Sequence, residues 1–130
     1  MIIAGSANVL AYLVIVAEDD ALIRMMAVDA LANAGFVVIE AAHADDALTI
    51  LTTRADQVHA LFTDIHMPGT ITGLELAHHV CGQWPWIALL VASGKARPTP
   101  AEMPPGSRFL SKPYDPDHMV QHVRQLLNAG

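Results

Sequence analysis

Short, largely apolar runs recur along this chain and alternate with segments of helical periodicity. The first run, at 12–17, is apolar at every position, and similar runs follow at 36–40, 59–63 and 87–92, while the shorter segment at 107–111 reads as a fifth strand. A strand that is apolar at every position is typical of a parallel sheet that is buried on both faces. The runs therefore predict five strands of one parallel sheet.

Helical patterns fill all but one of the gaps between these strands. Asp20 precedes the first helix and Gly35 ends it, and further helices are expected at 44–53 and 73–83. The last helix opens at Asp115, an N-cap that proline follows. Strands that alternate with helices predict a doubly wound α/β domain with helices on both faces of the sheet. In the third helix the apolar spacing predicts an inward face of Leu74, Ala77, Val80 and Cys81.

The gap between the fourth and fifth strands is different, because four prolines fall between Lys95 and Gly106. Each proline in a helix interior costs about 3 kcal/mol. The segment can therefore hold no more than a short turn near 101–103. We expect the fourth helix to be short or missing, and the segment to be irregular and mobile.

Length and charge limit the kind of protein this chain can be. Its 130 residues suit one domain, expected at 11–128 after an N-terminal extension at 1–10, with no room for an output domain. The formal net charge of −6 argues against a nucleic-acid partner, because nucleic acid is bound by clustered basic side chains. The uncharged stretch at 1–17 is shorter than the roughly 20 residues that span a membrane. We therefore expect a cytoplasmic protein with no membrane partner.

Polar residues follow the predicted strands at the positions where each strand ends. Glu18 and Asp19 follow the first strand, Asp64 the third, Ser93 the fourth and Lys112 the fifth. Ligands of doubly wound sheets bind at this carboxyl edge. Two carboxylates about 4 Å apart repel by about 4 kcal/mol at an effective dielectric of 20, so three of them require a cation. Oxygen ligands favour Mg²⁺, and an aspartate beside Mg²⁺ and an ammonium group can attack a phosphoryl group.

Taken in this order, the residues resemble the receiver domains of two-component response regulators over about 12–127. The motifs are the acidic cluster Glu18-Asp19-Asp20, the box Thr63-Asp64-Ile65-His66-Met67-Pro68-Gly69, Ser93, and Phe109-Leu110-Ser111-Lys112-Pro113. The resemblance implies a flavodoxin-like fold with strand order 2-1-3-4-5.

The resemblance also implies a role for each site residue. Asp64 would accept the phosphoryl group, and Lys112 and Ser93 would contact it. Mg²⁺, or Mn²⁺ in its place, would be held by Glu18, Asp19, Asp64 and the backbone carbonyl of His66.

Further implied features concern the switch and the backbone. Ser93 would turn toward the phosphoryl group and the burial of Phe109 would follow it. The Lys112–Pro113 peptide bond would be cis. Asp20 is expected to cap the first helix rather than to bind metal.

The function implied is that of a signalling domain and not of a turnover enzyme. A histidine kinase or a histidine phosphotransfer protein would donate the phosphoryl group from a phosphohistidine, and a downstream protein, which the sequence does not identify, would sense the change. One alternative is a receiver-shaped interaction module that is never phosphorylated. Another is a phosphohydrolase with an aspartate nucleophile, although such enzymes typically place that residue after the first strand.

Two departures from the common receiver pattern stand out. The loop from Asp64 to Gly73 is one residue longer than usual. In the family, the face formed by the fourth helix, the fifth strand and the fifth helix commonly carries the output signal. The proline-bearing segment therefore predicts a different surface in this chain.

Overall fold

A computed structural model describes residues 11–95 and 97–129 of the chain. It contains five strands, which are β1 (Leu13–Ala17), β2 (Val37–Ala41), β3 (Ala60–Asp64), β4 (Ala88–Ser93) and β5 (Arg108–Ser111). All neighbouring strands are parallel and their order is β2-β1-β3-β4-β5. The expected strand order is confirmed, and each strand begins one residue later than predicted. The N-terminal extension expected at 1–10 lies outside the described residues.

Four helices lie on the two faces of this sheet, namely α1 (Ala21–Asn33), α2 (Ala44–Arg54), α3 (Gly73–Gln83) and α4 (Pro116–Ala129). Between β4 and β5 the described residues form only a 3-10 turn at Pro100–Glu102. This confirms that a regular helix is missing there, as expected from the prolines, which lack the backbone N–H that a helix interior needs. That the segment is mobile stays a prediction. None of the described helices combines the length and apolar character needed to cross a membrane.

The helices begin where side chains satisfy their free backbone N–H groups. Asp20 Oδ1 accepts hydrogen bonds from the N–H groups of Leu22 and Ile23, each at 3.0 Å, so Asp20 caps α1 as expected. At α3, Thr72 Oγ1 accepts from the N–H of Glu75 at 3.0 Å, while Glu75 Oε1 accepts from the N–H of Thr72 at 2.8 Å. This reciprocal capping box fixes the start of α3 directly after the loop that follows β3.

The sheet is buried on both faces, as continuous apolar strands require. Alternate residues of β1 point to opposite sides: Ile15 joins the core under α2 and α3, while Val14 and Val16 join the core under α1 and α4. The inward face of α3 differs from the prediction, because Leu76 is fully buried whereas Leu74 and Cys81 are half-buried. The helix is therefore rotated by about one residue relative to the predicted face.

Gly73 explains that rotation, because the first residue of α3 lies against the end of β3. Its N–H donates to the carbonyl of Ile65 at 2.9 Å. A Cβ atom at this position would lie 1.7 Å from the carbonyl oxygen of Asp64 and 2.8 Å from Thr63 Oγ1. Only glycine fits here, so the start of α3 is held against the backbone of Asp64.

We expect Gly73→Ala to lower the free energy of unfolding by about 3 kcal/mol, because the added methyl group must push α3 away from β3. Gly82→Ala is the matched control in the same helix, since a Cβ there meets nothing within 4 Å. That change should stabilise the protein by roughly 0.5–1 kcal/mol. Urea unfolding followed by circular dichroism measures both, and equal stabilities of the two variants would contradict the close packing.

Candidate functional site

The parallel register brings the predicted site residues to one edge of the sheet. Asp64 lies opposite Ala92, and Ser93 lies opposite Ser111. The N–H of Lys112 donates to the carbonyl of Ser93 at 2.9 Å, which continues the ladder beyond β5. Glu18 follows β1, the neighbour of β3, and so lies beside Asp64. The carboxyl ends of four strands therefore contribute to one site.

Lys112 connects the two buried carboxylates of this site. Its Nζ lies 2.6 Å from Glu18 Oε1 and 3.2 Å from Asp64 Oδ2. Only 6% and 8% of these two acidic side chains are exposed, and 18% of the lysine side chain. Burial alone would lower the pKa of Lys112, but the hydrogen bond to Glu18 and the charge of Asp64 raise it overall. The ammonium group is therefore protonated at neutral pH.

Glu18 is held on both of its carboxylate oxygens. Oε1 accepts from Lys112, and Oε2 accepts from the N–H of Asp20 at 3.0 Å. Burial raises the pKa of Glu18, and the nearby charge of Asp64 adds to this effect, while the two hydrogen bonds oppose it. Arg24 supports the same turn, since its Nη1 donates to the carbonyl of Glu18 at 2.7 Å and its Nε to Glu40 Oε1 at 3.1 Å. The sequence pattern did not identify Arg24.

Glu18, Asp19 and Asp64 form a cluster that suits a divalent cation. Each offers a carboxylate oxygen, and these atoms lie within 4.8 Å of one another. Oxygen atoms on opposite sides of a Mg²⁺ ion are about 4.2 Å apart, so these separations are close to those of a coordinated set. The donors are all oxygens, which matches the preference of a hard ion. Asp20, turned toward the start of α1, is not part of the cluster.

The other predicted site residues differ in how deeply they are buried. Ser93 is buried and its Oγ accepts from the N–H of Lys95 at 3.0 Å. Among the described residues no hydrogen bond joins Ser93 to Asp64. Phe109 is half-buried on β5, and the His66 side chain is exposed. The Lys112–Pro113 peptide bond is cis.

Tyr114 is a second neighbour of the site that the sequence analysis missed. The ring is half-buried and packs edge-on against Phe62 of β3, with ring centroids 5.5 Å apart. Burial, together with the charges of Glu18 and Asp64, raises the pKa of Tyr114 to about 12. The hydroxyl is therefore neutral at physiological pH and adds no further negative charge near the carboxylates. In the sequence, only the position of Tyr114 directly after Lys112-Pro113 indicated that it lies near the site.

Asp45 holds the loop that follows β3, and this role was also missed. Asp45 lies in the first turn of α2, inside the helix that the sequence predicts at 44–53. Its Oδ2 accepts from the N–H of Thr70 at 3.3 Å and from the Thr70 hydroxyl. These contacts, the hydroxyl first, lower the pKa of Asp45. A helix on one face of the sheet thus fixes the loop that carries His66.

The sequence matches the response regulator receiver domain family over residues 14–124. This chain belongs to that family. Receiver domains are signalling domains of two-component systems, and the match covers β1 through most of α4. The acidic cluster and Lys112 fall inside the matched range.

Two curated relatives agree with this assignment. The chain is 32% identical to the sensor kinase CckA of Brucella abortus (strain 2308), with 96% of this chain and 13% of that protein covered. It is also 32% identical to the hydrogenase transcriptional regulatory protein HoxA of Cupriavidus necator, with 72% of this chain and 20% of that protein covered. The chain thus spans a fifth or less of the length of either relative.

Solved structures show the same fold. A response regulator receiver protein from Sinorhizobium medicae WSM419 superimposes with a TM-score of 0.85 at 27% identity, covering 93% of this chain and 98% of that one. The receiver domain of the hybrid histidine kinase CckA gives a TM-score of 0.76 at 30% identity, with coverages of 88% and 98%. The chemotaxis response regulator CheY4 of Vibrio cholerae, at 24% identity, gives 0.78 with coverages of 91% and 100%.

The Asp45–Thr70 contact predicts a pH-dependent stability. Because the pKa of Asp45 is lowered in the folded state from 3.8, its stabilising contribution is complete above about pH 4 and is lost as the pH falls through the lowered value. We expect Asp45→Asn to be less stable than wild type at pH 7. The difference should shrink as the pH falls below 3.8, which urea unfolding over a pH series measures.

Asp29→Asn, at an exposed position on α1, is the control and should leave the free energy of unfolding near that of wild type at pH 7. A difference between Asp45→Asn and wild type that stays constant from pH 7 to pH 3 would contradict the role of the Asp45 charge.

Proposed function

We propose that this receiver domain accepts a phosphoryl group on Asp64 from a phosphohistidine and signals through a protein partner that recognises the phosphorylated form. The observation that carries the proposal is the position of Lys112 Nζ, within 3.2 Å of both Glu18 and Asp64 at the carboxyl edge of the sheet. A cation held there can neutralise a phosphoryl group that arrives on Asp64.

The transfer step uses Asp64 as the nucleophile. A carboxylate oxygen of Asp64 bonds to phosphorus while the phosphorus–nitrogen bond of the donor breaks. The electron pair of that bond stays on the imidazole nitrogen, which can then take up a proton. Lys112 can move its contact from Asp64 to the phosphoryl oxygens, because its ammonium group carries three donors. Water would later attack the same phosphorus and break its bond to the Asp64 oxygen, which would release inorganic phosphate and leave Asp64 as a free carboxylate.

The carboxylates of Glu18, Asp19 and Asp64, with the backbone carbonyl of His66, would hold Mg²⁺. Two observations support this fit: all the donor atoms are oxygens, and the three carboxylate oxygens lie within 4.8 Å of one another. A bound Mg²⁺ or Mn²⁺ ion would neutralise charge on the phosphoryl oxygens during transfer. Because Glu18 is already bonded to Lys112 and to the N–H of Asp20, Asp19 is the carboxylate freest to adjust to the ion.

Ser93 and Phe109 would report the phosphorylation to the surface. Ser93 Oγ is held by a single bond from the N–H of Lys95, which it can exchange for a phosphoryl oxygen. Phe109 lies on β5, next to the strand that ends at Ser93. It is paired with Val91, the residue two positions before Ser93 on β4. Movement of the loop after β4 would therefore open or close space beside the Phe109 ring.

The donor would be a histidine kinase or a histidine phosphotransfer protein, which must contact the edge of the domain around Asp64. Apolar side chains on α1 offer a surface for it: Leu22, Met25 and Met26 are 61%, 53% and 48% exposed. They share one helix face, because they are three and four residues apart. Met26 also lines a cavity of about 460 Å³ with Lys112 and Pro113.

Incubation with acetyl phosphate and Mg²⁺, followed by intact-protein mass spectrometry, tests the proposal. We expect a transient adduct of one phosphoryl group on the wild type, and none on Asp64→Asn. Asp19→Asn should remain folded and should need more Mg²⁺ for the same yield, because one oxygen ligand is weakened.

Two outcomes would contradict the proposal. A folded wild type that forms no adduct at any Mg²⁺ concentration would favour a receiver-shaped interaction module that is not phosphorylated. Rapid and repeated hydrolysis of phosphate esters would favour a phosphohydrolase.

A further inference from the structure

The loop between β3 and α3 has its two ends joined by backbone hydrogen bonds. The N–H of Ile65 donates to the carbonyl of Ala92 at 2.9 Å, and the carbonyl of Ile65 accepts from the N–H of Gly73, also at 2.9 Å. Residues 66–72 therefore form a loop whose ends meet at Ile65. This loop is one residue longer than the common receiver pattern, and it carries the His66 carbonyl that the proposed Mg²⁺ site uses.

The carbonyl oxygen of His66 is available to a cation. Within 11–95 and 97–129 no hydrogen bond to this oxygen is present, whereas both polar backbone groups of Ile65 are paired. A backbone carbonyl in this state can serve as an oxygen ligand of a hard cation. Since the sheet fixes Ile65 on one side of His66, the residues on the other side help to fix where this oxygen lies.

Those following residues differ in how firmly they are held by the core. Met67 is buried, and Ile71 is half-buried against the core under α2 and α3. Between them, residues 68–70 are exposed, and we call them the tip of the loop. The tip has no packing in the core, so it needs a separate contact to keep one position.

Asp45 supplies that contact from the first turn of α2. Its Oδ2 accepts from the N–H of Thr70 at 3.3 Å and from the Thr70 hydroxyl. Among the described residues, every hydrogen bond of the tip goes to this carboxylate. One side chain on a neighbouring helix thus holds the exposed half of the loop.

The backbone of the tip is shaped to approach this carboxylate closely. Gly69 has a φ of 137°, which residues with a side chain rarely adopt, and an added Cβ there would lie 3.0 Å from Asp45 Oδ1. That oxygen is buried and has no hydrogen-bond partner in the part of the chain that the structure describes. The contact between Asp45 and the tip is therefore close and shielded from solvent.

We propose that Asp45 is a positioning residue of the Mg²⁺ site, which acts by holding the tip and, through it, the loop that carries the His66 carbonyl. Asp45 does not belong to the cluster of Glu18, Asp19 and Asp64 that would contact the ion. Without the contact to Thr70, the loop would have more conformational freedom to lose when the ion binds. That ordering cost would weaken Mg²⁺ binding.

A titration with MgCl₂, followed by amide NMR shifts, measures the Mg²⁺ Kd of each variant. Asp45→Ala should raise the Kd about twofold to fivefold, because the free loop must be ordered. Thr70→Val, which loses the hydroxyl but keeps the charge of Asp45, should also raise the Kd, and Thr70→Ser should restore the wild-type value. The double variant of Asp45→Ala and Thr70→Val should bind no more weakly than Asp45→Ala, since both changes remove one contact.

Two control variants separate the positioning role from charge and from stability. Asp46→Asn removes one exposed negative charge from the same turn of α2. Val28→Ala removes part of a half-buried side chain in the core under α1 and α4, on the opposite face of the sheet, and so lowers stability away from the loop. Both should keep the wild-type Mg²⁺ Kd.

A measurement without Mg²⁺ tests the loop itself. The heteronuclear ¹⁵N NOE of Gly69 and Thr70 should fall in Asp45→Ala and stay at the wild-type value in both controls. An unchanged NOE, an unchanged Mg²⁺ Kd in Asp45→Ala, or an equal rise of the Kd in either control would overturn the positioning role.

The inference rests on the proposed function only through the Mg²⁺ site. If the wild type binds Mg²⁺ but forms no adduct with acetyl phosphate, phosphorylation is contradicted, while the Kd of Asp45→Ala still decides the positioning role. If the adduct forms and the Kd of Asp45→Ala equals that of the wild type, only the positioning role is contradicted. A wild type that binds no Mg²⁺ would overturn both.

Discussion

The ion pairs of Lys112 with Glu18 and Asp64 are the interactions on which the site depends. Two carboxylates that are more than nine-tenths buried cannot both be ionised side by side unless a cation accompanies them. The raised pKa of Lys112 keeps that cation present at neutral pH. The pair with Glu18 joins residues that are 94 positions apart in sequence, so it links the end of β1 to the end of β5 across the sheet.

Contacts from helices on both faces hold the carboxyl edge of the sheet in place around this charge cluster. Gly73 lets α3 pack directly against the backbone of Asp64. Asp45 fixes the loop after β3 from the start of α2, and Arg24 fixes the turn after β1 from α1. The site is therefore preorganised by the helices on both faces. The proline-bearing segment has no such support from a regular helix, and there the domain has an open cavity instead of a packed one.

The sequence was most informative about residues whose place in the fold follows from where they stand relative to the apolar runs. Asp64 and Lys112 could be placed because they end apolar runs, and parallel strands bring such ends together. Arg24, Asp45 and Tyr114 could not be assigned, because their roles depend on contacts with distant backbone and side chains that no periodic pattern encodes. The rotation of α3, which buries Leu76, likewise follows from the close approach at Gly73 and not from apolar spacing.

A double-mutant cycle of Lys112→Met and Glu18→Gln in Mg²⁺-free buffer measures the central ion pair directly. Removal of the lysine leaves two buried carboxylates without a cation, so Lys112→Met should lose about 3 kcal/mol of stability at pH 7. Once Glu18 is also uncharged, much of that loss should be recovered, with a coupling energy of about 1–3 kcal/mol from urea unfolding. Additive effects of the two substitutions would contradict the account, because they would mean that Lys112 does not balance the charge of Glu18.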